Sequence, residues 1–77
     1  MIGRPRKIRA LQLKYEAEIS EAKVNIENYL GHSVGVAEHP NIIESLDNLI
    51  SKLANAEDKL ESLKNNFINT LYKRDTS

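Results

Sequence analysis

The chain has 77 residues, carries 11 basic and 11 acidic side chains, and contains no cysteine. This length allows one domain with a marginal core, and the lack of cysteine excludes disulfides, Cys-ligated zinc sites and thiol chemistry. No apolar run approaches the roughly 18 residues that cross a bilayer, and no apolar signal-peptide segment follows the basic N-terminus. We therefore expect a folded cytoplasmic protein that does not enter membranes and that gains stability by oligomerisation or by very regular helix packing.

A first helix is predicted over about residues 5–30. Pro5 suits a first helical turn, where its missing N–H would have no partner in any case. Gly31 is expected to end the helix, because glycine adopts the left-handed conformation of a helix C-terminus without steric cost. Between them, apolar residues recur at steps of three and four and trace one helix face: Ile8, Leu11, Tyr15, Ile19, Ala22, Ile26 and Tyr29 or Leu30.

A loop over residues 31–40 leads to a second helix, predicted over about residues 41–72. Asn41 and Glu44 form a capping-box pattern at its start, in which both side chains accept hydrogen bonds from exposed backbone N–H groups. A seven-residue repeat, continued by Phe67 and Leu71, then predicts a coiled-coil-like seam. Its members are Leu46, Leu53 and Leu60, each followed three residues later by Leu49, Ala56 and Leu63.

These elements predict an all-α fold, in which residues 1–77 form a single antiparallel two-helix hairpin with frayed, basic ends. Folding about the loop pairs positions whose numbers sum to about 71. Tyr15 then lies opposite Ala56, and Ala22 lies opposite Leu49. Each pair places a large residue against a small one, which is what interdigitated packing requires.

A second stripe on the first helix is not explained by a lone hairpin. It lies on the face opposite the first stripe and consists of Ala10, Leu13, Ala17, Ser20 and Val24. Two helices packed only on each other would leave this surface in water, so we expect a homo-oligomer, most simply a dimer that forms an antiparallel four-helix bundle. The alternative is that the small residues only serve helix propensity and that Leu13 is an isolated exposed residue.

Charge is unevenly distributed along the chain. Residues 1–15 carry five basic residues and no acid, whereas residues 16–47 carry seven acids against Lys23 alone. Folding back would bring both chain ends together as one basic pole, able to make salt-sensitive phosphate contacts. Its residues are Arg4, Arg6, Lys7, Arg9, Lys73 and Arg74.

The N-terminal segment Gly3-Arg4-Pro5-Arg6-Lys7 resembles the centre of an AT-hook, although Ile2 replaces the arginine that normally precedes the glycine. The resemblance implies contact with the minor groove of A·T-rich DNA. The alternative, which we favour on the sequence alone, is that these basic residues solubilise a chain terminus.

No motif predicts catalysis, a metal site or a cofactor. His32 and His39 share the loop with Glu38, but their spacing matches no standard metal-ligand pattern. Two loop histidines do not support a nucleophile–base arrangement either. Paired carboxylates perform acid–base chemistry only in a pocket that separates their pKa values, whereas three acids of the second helix are expected on its solvent-exposed face: Glu57, Asp58 and Glu61. We expect no enzymatic activity.

Three stretches resemble small helical-hairpin proteins encoded by large contractile-tailed phages, including marine ones. The most specific stretch is the loop from Ser33 to Pro40, and the others are Asn41-Ile42-Ile43 and the segment from Ala54 to Leu60. The similarity covers about residues 20–68. It implies a helical hairpin, a phage origin and a location in the host cytoplasm, but it implies no activity.

Taken together, these features favour a non-enzymatic interaction or structural protein that acts through its helix faces, as a phage accessory protein if the resemblance holds. The alternative is a nucleic-acid-binding accessory protein that uses the basic pole.

Overall fold

The computed structural model of the chain describes residues 3–31 and 41–69. Helix α1 spans Gly3–Gly31 and helix α2 spans Ile42–Leu63, and one π-helical turn, Lys64–Ile68, follows α2. The two helices pack against each other, and these residues contain no strand. The packing is antiparallel, because Tyr29 near the end of α1 lines a cavity with Ser45 near the start of α2. The prediction of an all-α helical hairpin is therefore confirmed.

Helix α1 begins at Gly3, so Pro5 lies within its first turn, where a missing N–H breaks no helical hydrogen bond. At the other end, Gly31 is still helical. No residue of the described segments has a positive φ. The expectation of a left-handed Gly31 is therefore wrong, and glycine's conformational freedom is not used at that position.

Helix α2 begins without the predicted capping box. Asn41 has φ −95° and ψ 14°, and its side chain makes no capping hydrogen bond. These angles lie close to the helical region, whereas a capping side chain normally requires a more extended backbone. The first turn is closed by the backbone alone, since Ser45 N–H donates to the Asn41 carbonyl at 2.9 Å. Glu44 still places a negative charge in the first turn, where the helix dipole favours it.

The π-helical turn rotates the end of the second helix. Asn69 N–H donates to the carbonyl of Lys64, five residues earlier, at 2.6 Å. The side-chain amide of Asn66 donates to the Ser62 carbonyl at 2.8 Å, which is the acceptor that Asn66 N–H would use in an α-helix. Such side-chain competition for a backbone acceptor favours a widened turn.

The rotation changes which apolar side chain continues the seam. Phe67 is 52% exposed, whereas Ile68 is half-buried. The prediction that Phe67 continues the seam is therefore wrong. Residues 70–72, over which we predicted that the second helix continues, lie outside the described residues.

The core is small. Among the described residues the buried side chains are Ala22, Ile26, Ala56 and Leu63. Ala22 and Leu49 line the same cavity between the helices, as a register of about 71 requires. The register pairs Tyr15 with Ala56, but the Tyr15 ring also extends to Lys59, three residues further along α2. Side chains of a helix lean toward the N-terminus of that helix, so in an antiparallel pair the side chains of Tyr15 and Lys59 lean toward each other.

Candidate interaction surfaces

A polar groove runs along one side of the seam. It contains a cavity of about 290 Å³ whose floor includes Ala22 and Ala56. The walls carry charged and amide side chains from both helices: Glu18, Glu21 and Asn25 from α1, and Lys52, Asn55 and Lys59 from α2. These polar groups are in contact with water, and no buried side-chain polar atom of the described residues lacks a partner. The groove is therefore a hydrated surface that does not require a protein partner.

Charged side chains interact both along α1 and between the two helices. Along α1, Lys14 donates to Glu18, one turn later, with Nζ and Oε2 2.5 Å apart. The ammonium of Lys59 lies 5.9 Å from the centre of the Tyr15 ring, within the range of a cation–π contact. Lys59 also acts electrostatically on Glu18. Lys59 of α2 thus interacts with two residues of α1.

The pKa values of the Lys14–Glu18 pair move apart, as expected for an ion pair. The hydrogen bond from Lys14 lowers the pKa of Glu18, and the charges of Lys14 and Lys59 add to this effect. The hydrogen bond to Glu18, together with its charge, raises the pKa of Lys14. Both groups are exposed, so solvent screens the pair and its contribution to stability is small.

The other side of the seam is apolar. Each residue advances about 100° around an α-helix, so Leu53 and Leu60 lie roughly 40–60° from Ala56 on the side away from Lys52 and Lys59. The same geometry places Ile19 of α1 on that side, away from Glu18. We call this surface the apolar side, and it comprises Ile8, Ile19, Leu30, Ile43, Leu46, Ile50, Leu53 and Leu60.

Several residues of the apolar side remain in contact with water. Ile43 is 72% exposed and Ile50 is 49% exposed, although both are large aliphatic residues. Leu46, Leu53 and Ile19 are half-buried. The hairpin alone therefore covers this side only in part.

The predicted self-association stripe lies on the outer face of α1. Ala10, Leu13, Ala17 and Val24 are all exposed. By helix geometry they lie roughly 160–240° around α1 from the buried Ala22. No side chain of α2 can cover them, and the role of the stripe in self-association stays a prediction. It is composed mainly of small residues and touches only one helix.

The N-terminal members of the predicted basic pole are placed in the first turns of α1, and Lys73 and Arg74 lie outside the described residues. Arg4, Arg6, Lys7 and Arg9 are all exposed. Arg4 and Lys7 share one side of the helix, while Arg6 and Arg9 share roughly the opposite side. The Gly3-Arg4-Pro5 segment is helical, which differs from the AT-hook pattern that its sequence resembles. The four cations surround the start of α1 and do not form a single phosphate track.

No group of three or more His, Asp or Glu residues that could hold a metal ion occurs within residues 3–31 and 41–69. The loop histidines, His32 and His39, lie outside these ranges. Neither α1 nor α2 is long and apolar enough to cross a membrane.

Sequence reasoning missed the polar groove as a surface. Its signal was present in the asymmetry of the positions that flank the seven-residue repeat: Lys52 and Lys59 on one flank, Ile43 and Ile50 on the other. No known protein family, no curated protein and no solved structure matches this chain.

Proposed function

We propose that this protein is a non-enzymatic interaction protein that acts through its helix faces and associates with itself as a dimer of hairpins. The observation that carries the proposal is the imbalance between core and surface. Four side chains are buried among the described residues, whereas large apolar side chains on both helices remain exposed. Examples are Leu13, Val24, Ile43 and Ile50.

The energetic argument follows from this imbalance. Burying apolar surface contributes about 25 cal/mol per Å², and two of the four buried residues are alanines, which have little side-chain surface to bury. A 77-residue chain must also offset the conformational entropy lost on folding. Association with a second molecule supplies the missing burial, as is common for small domains without disulfides or metals.

The test is the mass of the purified chain in solution, measured by sedimentation equilibrium over a wide range of concentrations. We expect twice the 8.7 kDa of one chain. We also expect the midpoint of urea unfolding to rise with protein concentration, because dissociation and unfolding are coupled in such a dimer. A mass of one chain at every concentration would contradict the proposal of self-association.

The biological setting of the proposal rests on sequence alone. The resemblance to phage helical-hairpin proteins supports a phage accessory protein that works in the host cytoplasm. The most specific stretch of that resemblance, from Ser33 to Pro40, lies outside the described residues.

A second candidate function is nucleic-acid binding at the N-terminal end of α1. Arg4, Arg6, Lys7 and Arg9 are exposed there, and no acid lies among residues 3–14. The test is fluorescence anisotropy with labelled double-stranded and single-stranded DNA at about 50 mM and 200 mM salt, a range over which multi-phosphate contacts lose much of their affinity. This candidate predicts binding that falls steeply with salt and is lost when the four residues become alanine.

A further inference from the structure

We propose that a second copy of this chain covers the apolar side with its ends reversed, so that the two hairpins point in opposite directions. This inference rests on the proposed self-association, and it adds which surface is used and how the two copies are oriented. It leaves the predicted self-association stripe on α1, which we call the outer stripe, outside the interface.

The apolar side is the surface that best fits an interface. Its centre is formed by Ile50 and Leu53 of α2 and by Ile19 of α1, so a partner that docks there contacts both helices at once.

The border of this side is polar. On α1 it includes Gln12 and Glu16, whose side chains are 3.2 Å apart and hydrogen-bonded to each other. The same helix geometry places exposed Lys23 of α1 and exposed Glu57 of α2 at the border too. An apolar centre with a polar rim is the usual composition of a protein interface.

The outer stripe would bury less apolar surface against a second copy than the apolar side. Docking on Leu13 and Val24 would involve α1 alone and would leave Ile43 and Ile50 of α2 in water. Docking on the apolar side uses the larger aliphatic residues of both helices and extends the existing core. The free-energy gain scales with the apolar area removed from water, so the apolar side is the preferred surface.

The charges of the two ends determine the orientation. We define the open end as residues 3–14 and 56–69, which carry seven basic and three acidic side chains and therefore a net charge of +4. The loop end, residues 15–31 and 41–55, carries two basic and six acidic side chains and a net charge of −4. Reversed copies place each +4 end beside a −4 end. Copies that point in the same direction would place like charges side by side, which is unfavourable.

The orientation is measured with spin labels, because the chain has no cysteine of its own. Gly3 and Gly31 are suitable sites, since a Cβ atom added at either would contact nothing within 4 Å. They lie near opposite ends of α1, about 42 Å apart along the helix. In reversed copies, two Gly3→Cys labels should be about 40 Å or more apart. In copies that point the same way, they should be within about 20 Å, two helix spacings.

A mixed dimer is the matched control. When Gly3→Cys chains are combined with Gly31→Cys chains, dimers that carry one label of each kind form beside the two single-kind dimers. In reversed copies the mixed dimers add a distance within about 20 Å to the long distances, and in same-direction copies they add a distance of about 40 Å to the short ones. The proposal thus requires only a long distance in the Gly3→Cys sample and an additional short distance in the mixed sample. The opposite pattern would overturn the reversed orientation.

The interface itself is tested by Ile50→Lys, with Leu13→Asp as the comparison. Ile50 is about half exposed, so a lysine can extend into water and the hairpin can still fold. Because the change occurs in both copies, we expect the dimer dissociation constant to rise about 30-fold or more. Leu13→Asp should leave it within about threefold, since the outer stripe is not used. Circular dichroism checks that both variants remain helical.

The outcomes separate this inference from the broader proposal. If Leu13→Asp dissociates the dimer and Ile50→Lys does not, the apolar side is the wrong surface but self-association stands. If the unmodified chain is monomeric at every concentration, both proposals fail. The label distances do not depend on Ile50→Lys, so a variant that fails to fold would still leave the orientation decided.

Discussion

The polar groove and the apolar side flank the same pair of helices, yet one is lined by Glu18, Lys52 and Lys59 and the other by Ile19, Ile50 and Leu53. Between the two surfaces lies a line of buried side chains at the helix–helix contact, which we call the buried row and which contains Ala56 and Leu63. The helices therefore pack along the buried row, and the two flanks differ in what they expose to water. One helical hairpin thus presents a polar surface on one side of its core and an apolar surface on the other.

The largest change in the free energy of unfolding is expected from a substitution in the buried row, because these side chains hold the two helices together. Leu63→Ala should reduce the free energy of unfolding by about 2–3 kcal/mol, because it removes a buried leucine and leaves a cavity at the seam. Urea unfolding at a fixed protein concentration measures the change. Leu13→Ala is the matched control, since Leu13 is half exposed and should lose less than about 1 kcal/mol. Equal losses in the two variants would show that the row is not the core.

A second change would make the two sides alike. Replacing Glu18, Lys52 and Lys59 with leucine turns the polar groove into a second apolar surface. We expect the proposed dimer to grow into larger species or to precipitate, because each hairpin would then expose two apolar surfaces. Sedimentation velocity measures the size distribution. A variant that remains a dimer would show that the polar groove does not limit assembly.

A smaller effect is expected from the contact between Lys59 and Tyr15. Its contribution should be about 0.5 kcal/mol, the lower part of the range for exposed cation–π pairs. The measurement is a double-mutant cycle of urea unfolding with Tyr15→Leu and Lys59→Gln, which isolates the coupling from the loss of apolar contact. Additive effects of the two substitutions would mean that the ammonium only lies near the ring.

The smallest effect concerns the pH dependence of the Lys14–Glu18 pair. Since the pKa of Glu18 is lowered from its ordinary 4.5, its contribution is present above pH 4.5 and is lost as the pH falls through the lowered value. Since the pKa of Lys14 is raised from 10.5, its contribution is present below pH 10.5 and is lost as the pH rises through the raised value. NMR titration should show the pKa of Lys14 falling in Glu18→Gln. An unchanged Lys14 pKa would contradict the ion pair.

The hairpin and its seam were predictable because the leucines and Ala56 recur at a helical period over many turns. A pattern of that length predicts a helix even where single residues, such as those at the helix ends, behave differently from expectation. The outer position of Leu13 and Val24 followed from the same periodicity. The features at the two ends of the second helix could not be predicted from the sequence. The Asn41 cap failed because capping depends on backbone angles that the residue type does not determine. The π-helical turn depends on whether the Asn66 side chain takes the Ser62 carbonyl, and the seven-residue period gives no sign of that choice.

The π-helical turn also bears on how the length of this chain can change. The wide turn accommodates one more residue than an α-helical turn would, so Ile68 occupies the face that residue 67 of an uninterrupted helix would occupy. A chain that lost Asn66 would keep Ile68 on its half-buried face and would straighten the helix. The segment around Asn65 and Asn66 is therefore a place where related sequences can differ by one residue without shifting the seam.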